Sequence, residues 1–164
     1  MTLTASKQRN PYPGLVHALW LSIHDLFPSR VVVPVDYVAS RPPAIEDLLV
    51  HLWMDGERAV NPNVRVRDYE AYLERIDARN GELLSRPFVI FYKRRDDRPN
   101  TAVSGIKDHL AWYGNVLVVR QESQTVVTPV SLEEKEVQAL ADMVAASLSG
   151  GNIIQNASEC AGLE

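Results

Sequence analysis

The chain of 164 residues is poor in the residues that most directly carry chemistry. It has a single cysteine, Cys160, so no internal disulfide can form, and a reducing compartment fits best. Cys160 lies in a small-residue polar tail, which supplies neither the base nor the pocket that a nucleophilic thiol needs. Only four histidines are present: His17, His24, His51 and His109. Lysine is limited to Lys7, Lys93, Lys107 and Lys135. Aromatic residues make up 7%. No run approaches the roughly 18 apolar residues of a membrane-crossing helix. The opening MTLTASKQRN has no apolar core of the kind a secretory signal carries. These features predict a cytoplasmic protein, a nuclear one being compatible, with no membrane partner. The Asn156-Ala157-Ser158 glycosylation sequon then reads as chance.

The phosphate-cradling glycine motifs are missing, as is the G-x-S-x-G elbow. Net charge is -4 and the sequence pI about 5.6, a balance that argues against a general nucleic-acid binder. The one basic run, Lys93-Arg94-Arg95 with Arg98, is interrupted by Asp96 and Asp97. It reads as a solvated connector, although arginine forks also suit phosphate oxygens.

What the chain does have is ordinary globular composition, 46% hydrophobic and 23% charged. At this length one domain is expected, able to bury roughly 70% of its extended surface without a disulfide or metal. Four strands are predicted, over residues 31–35, 87–93, 115–120 and 125–130. Phe88-Val89-Ile90-Phe91-Tyr92 is apolar on both faces, as a covered central strand would be. Pro34 has no amide hydrogen, which places the first strand at a sheet edge. Residues 115–120 and 125–130 are close enough for an antiparallel hairpin.

Helical spacing is read over four main segments. Leu15, Leu19, Ile23 and Leu26 recur across residues 13–28, with Val16, Trp20 and Phe27 widening the stripe. Ile45, Leu48, Leu49 and Leu52 predict a second helix over 44–54, stopped by Asp55-Gly56. Tyr69, Leu73 and Ile76 predict a third over 66–84, with Gly81 as a terminator. Ser131 and Glu134 have capping-box spacing before a final helix to about residue 148, burying Leu132, Val137, Leu140, Val144 and Leu148. A short helix is also expected within 101–111. The fold expected is α+β: a small, mostly antiparallel sheet of about four strands with helices packed on it. Its bounds are a flexible arm over 1–12, one domain over 13–150 and a flexible tail over 151–164.

No catalytic residue, metal ligand or cofactor site emerges. His17 and His24 would lie about 10 Å apart along a helix, too far to share one ion. His51 stands between Asp47 and Asp55 but has no second histidine beside it. A metal-dependent nuclease would need carboxylates on adjacent strands. Asp36 could supply one, but Phe91 occupies the acid position two before Lys93, and Glu133-Glu134-Lys135 stands at a helix start. The residues left as an interaction surface are Trp20, Trp112, Tyr113, Arg94 and Arg95. Trp112 and Tyr113 precede the turn-forming Gly114-Asn115, where they would either close the core or form an aromatic contact.

Residues 85–93 (SRPFVIFYK) and 112–120 (WYGNVLVVR) resemble segments of uncharacterised small proteins of mushroom-forming (basidiomycete) fungi. The resemblance covers mainly this central region and rests on strands, not on an active-site signature. It implies a fungal intracellular protein and no particular activity. Two function classes remain. One is a non-enzymatic interaction or regulatory domain, either binding an unidentified protein or forming a homodimer through the first helix or the valine-rich edge. The other is a small-molecule-binding protein or enzyme whose pocket is assembled from distant residues.

Overall fold

The computed structural model describes residues 14–36, 41–54 and 69–155. Its centre is a six-stranded sheet, larger than the four strands expected, in which every strand pairing is antiparallel. The strands are β1 (Leu15–Leu21), β2 (Ser29–Pro34), β3 (Glu70–Asp77), β4 (Glu82–Tyr92), β5 (Val116–Gln121) and β6 (Pro129–Val130). They lie in the order β2-β1-β5-β4-β3, and β6 pairs with the end of β5. The helices are α1 (His51–Met54), α2 (Thr101–Ile106) and α3 (Val137–Leu148). Tight 3-10 turns occupy Ile45–Asp47 and Glu134–Glu136. No described helix is long and apolar enough to cross a membrane.

The first helix expected is strand β1. Leu19 and Leu21 enter the core on one face, whereas Val16 and Ala18 enter the core on the other. A strand buried on both faces is a nearly continuous apolar run, and such a run contains helical spacings by default. The third helix expected is the β3–β4 hairpin. Asn80 and Gly81 both donate backbone amides to Asp77 O, and Gly81 takes a φ of +79° in the turn. Its glycine therefore serves a hairpin, not a helix end. Of the charged residues in this edge strand, Glu70 and Arg75 are exposed, whereas Glu74 and Asp77 are buried and accept hydrogen bonds from Ser147 and Arg79.

The second helix expected is reduced to a 3-10 turn and the four-residue α1. The fourth strand shrinks to Pro129–Val130. The final helix forms as expected, with Leu140, Val144 and Leu148 buried and Val137 half-buried. Its capping box moves by two residues: the Glu133 amide donates to Glu136 Oε1 at 2.9 Å. Ser131 instead accepts from the His17 amide, tying this segment to β1.

Two cores follow from the alternation of side chains along β1, β4 and β5. On one face, Phe88, Ile90, Val116 and Val118 pack with α2, α3, Leu132 and Ile153. On the other, Val89, Phe91, Leu117 and Val119 meet Leu48, Val50 and Met54. The expectation of a doubly covered central strand holds for β4, which lies between β5 and β3.

The body continues beyond α3 into the segment expected as tail. Ile153 is 5% exposed within the core. The Gln155 side chain donates to Lys93 O and Tyr113 O and accepts from the Tyr113 amide. Residues 152–155 are therefore held by β4 and the approach to β5. The expected arm over 1–12 and the rest of the tail lie outside the described residues.

Candidate functional site

The five residues singled out in the sequence do not converge. Trp20 lies on the α1 side of the sheet, where it packs against Trp53 with ring centroids 5.1 Å apart. Trp112 is not a surface residue: it is 4% exposed and sits in the opposite core, edge-on to Tyr92. Tyr113 is half-buried and its backbone is occupied by Gln155. Arg94 and Arg95 are exposed on the loop after β4.

That basic run is partly neutralised by its own fold. The Arg98 guanidinium grips Asp96 through two bonds of 2.7 and 2.9 Å, and the Arg98 amide adds a third. Burial pushes the Asp96 carboxyl up, but these bonds to Arg98 more than offset it, so the group sits below its ordinary range. Gly114 donates its amide to Arg98 O, which ties this loop to the start of β5.

Nor does the nuclease pattern assemble. Asp36 follows edge strand β2, and Lys93 follows β4, with β1 and β5 between them. Three inter-strand spacings separate those strands, about 14 Å. Among the described residues, no three His, Cys, Asp or Glu side chains gather in a group able to hold a metal ion.

A different feature is the loop joining β1 to β2, where Leu26 is 66% and Phe27 75% exposed. Helical spacing over residues 13–28 puts both on an apolar stripe, where they would be buried. Here they form an apolar knob at a loop tip, bounded by Pro28. The polar pair His24-Asp25 before them and Pro28-Ser29 after them were the available turn signals.

The loop carrying the knob is pinned at its base. Asn115 Oδ1 accepts the Ile23 amide at 2.8 Å. Ser22 Oγ and O accept the amides of His24 and Asp25. Thr101 Oγ1 donates to Asp25 O at 3.0 Å. Leu26 O lies so close to α2 that a β-carbon at Gly105 would be 3.4 Å from it. Behind this contact, buried Asn100 donates to Leu21 O and Gly114 O and accepts the Val103 amide. One side chain thus joins the end of β1, the start of α2 and the approach to β5. Leu26 and Phe27 project from a fixed base, so little backbone entropy remains to be lost when they are covered.

Self-pairing along β2 is obstructed. Within an antiparallel strand, a residue's N–H and C=O point to the same side. Pro34 O accepts from the Leu49 amide and Val32 O from Trp53 Nε1, so the outward carbonyls at these positions are engaged. Pro34 supplies no outward N–H at all. Arg30 is held by Leu132 O and Glu134. The edge position expected for this strand is correct, but the pairing hazard inferred from its valines is blunted by these contacts.

Comparison with known proteins gives no relative: no family model, curated protein or solved structure matches the chain.

Proposed function

We propose that the chain is a non-enzymatic, intracellular protein-interaction domain, and that the Leu26–Phe27 knob is its contact point. The observation supporting this reading is the combination of two large exposed apolar side chains with a loop base bonded to Asn115, just before β5, and to Thr101 of α2. Large apolar side chains on a pre-ordered support have the character of binding hot spots. Because the knob protrudes, the complementary partner is a protein with an apolar pocket.

A photo-crosslinking residue placed at position 27 of the full chain tests this in an extract of the source organism. Position 97, on the exposed loop after β4, is the comparison site. The expected product is a partner captured from position 27 and absent from position 97. The purified partner should bind Phe27→Asp at least tenfold more weakly, roughly the effect of losing one buried aromatic anchor. Equal capture at both positions, or equal affinity for Phe27→Asp, would reject the knob as the contact point. Crosslinks between two copies of the chain would make the partner a homodimer.

A further inference from the structure

A second feature lies on the α3 side of the molecule, at the end of the sheet that carries the β3–β4 turn. A cleft of about 270 Å³ is lined by Arg79 from that turn, by Ile106 and Lys107 at the end of α2, and by Asp142, Ala145 and Ala146 of α3. It falls just below the roughly 300 Å³ at which ligand pockets usually begin, so its occupant is smaller than a drug-sized molecule. Its floor is apolar and short: Ile106 and two alanine methyl groups.

The charges around this floor are ordered. Arg79 is fixed by its turn neighbour, with Nε 2.9 Å from Asp77 Oδ1 and Nη2 2.8 Å from Asp77 Oδ2. That fork leaves Nη1 for another acceptor. Lys107 contributes a second cation from α2. Asp142 contributes an anion from α3, and its Oδ1 accepts from Gln138 Nε2 at 3.1 Å. Asp77 and Asp142 both act on the Arg79 guanidinium, so these three groups together keep one net negative charge, and Lys107 brings the compensating positive charge to the same cleft. A simple anion would meet repulsion from Asp142, and a simple cation would meet repulsion from Lys107. A molecule carrying both charges satisfies each wall.

We propose that this cleft binds a small zwitterion with a short apolar group, the chemical class of a neutral α-amino acid. The ligand carboxylate faces Lys107, its ammonium faces Asp142, and its side chain covers Ile106, Ala145 and Ala146. The cleft is open to solvent, so screening keeps the affinity in the millimolar range. This proposal is independent of the Leu26–Phe27 contact.

The test is an NMR titration of the full-length, isotope-labelled protein with L-leucine at low ionic strength. Isocaproate and isoamylamine serve as the two half-ligands, one retaining only the carboxylate and the other only the ammonium. Leucine should shift the amides of Ile106, Lys107, Ala145 and Ala146 saturably. Each half-ligand should bind about tenfold more weakly, the scale of one lost charge-assisted hydrogen bond. Asp142→Asn should weaken leucine by a similar factor, and Ala146→Leu should abolish binding by filling the floor. The amide spectrum itself reports whether either variant remains folded, and Asp142→Asn decides the matter alone if Ala146→Leu does not fold. Absence of saturable shifts, equal binding of leucine and a half-ligand, or unchanged binding in folded Asp142→Asn would overturn the proposal.

Discussion

Asp96 and Gly114 are packed so closely that a β-carbon at Gly114 would stand 2.7 Å from Asp96 Oδ2. The carboxylate cannot swing aside cheaply, because Arg98 holds it through backbone and side-chain bonds. Gly114 also has a φ of +83°, in the left-handed region that β-carbons disfavour. Gly114→Ala should therefore lower stability by about 2 kcal/mol or more through strain and displacement of Asp96 together. Urea denaturation measures this. A loss within the error of the midpoint would mean that the loop relaxes at no cost.

Asn100→Ala removes the acceptor for the Val103 amide and the donors to Leu21 O and Gly114 O in one step. Asn100 is almost fully buried, so water does not readily replace those partners. The expected loss is about 3 kcal/mol by denaturation, given the penalty for unsatisfied buried polar groups. Hydrogen exchange should accelerate first at Val103, at the start of α2. A small loss with unchanged protection at Val103 would show that the junction does not depend on this side chain.

The parts of the fold legible in the sequence are those with one dominant local signal. Helix α3 has an apolar stripe and a polar start, and the β4 core run is apolar on both faces and too short for a long helix. Pro34 marked its strand as an edge because a missing amide hydrogen has the same meaning in any sheet. Strand β1 was hidden because Val16, Ala18, Leu19 and Leu21 are buried on two faces, which leaves no period-two alternation. Strand β3 was hidden because its bulge between Glu74 and Ile76 shifts the alternation partway along. The candidate contact was illegible for a related reason. Leu26 and Phe27 continue the apolar pattern of β1, and only the turn that follows β1 places them in solvent. The cleft joins Arg79, Lys107 and Asp142 across the tertiary fold, a proximity that no local spacing encodes.

Ile153 and Ile154 are adjacent but should behave oppositely. Ile153 is in the core, whereas Ile154 is 66% exposed. Ile153→Ala should cost about 2–4 kcal/mol, within the range for emptying a buried aliphatic site. Ile154→Ala should change stability by less than about 0.5 kcal/mol, as expected for a surface position. Thermal or urea denaturation of the two variants provides the comparison. Equal small losses would show that this segment is a tail without a structural role.

Trp53 closes part of the β2 edge through its bond to Val32 O and also packs on Trp20. Trp53→Ala should lower stability by about 2–4 kcal/mol, in line with truncation of a large, partly buried aromatic. It should also increase self-association, because Val32 O becomes available on an edge strand. Trp20→Glu should destabilise the fold, since the half-buried Trp20 ring rests against Trp53. Light scattering beside denaturation separates the two effects. A wild-type dimer dissociated by Trp20→Glu without loss of stability would place Trp20 at an interface and refute its packing role.

Stability should fall on the acid side before it changes near neutral pH. The hydrogen-bonded guanidinium of Arg41 holds Asp47 below the ordinary carboxyl range, and Arg79 does the same to Asp77. Bonding to Arg120 similarly lowers Glu136. At Asp96, burial raises the carboxyl but the Arg98 bonds more than offset it, leaving it lowered. Each group is more acidic folded than unfolded. Its stabilisation is fully present above the unfolded value, about 4 for these side chains, and is lost as pH drops towards the folded value. Asp47, Asp77 and Asp96 are all buried side chains held by guanidiniums about half exposed to solvent, so screening limits each pair to a similar, modest contribution. Urea midpoints measured from neutral pH down to about pH 3 should decline below about pH 4. In Asp96→Asn that decline should be shallower, with the neutral-pH stability already reduced. An unchanged acid slope in Asp96→Asn would remove Asp96 from the groups that drive acid unfolding.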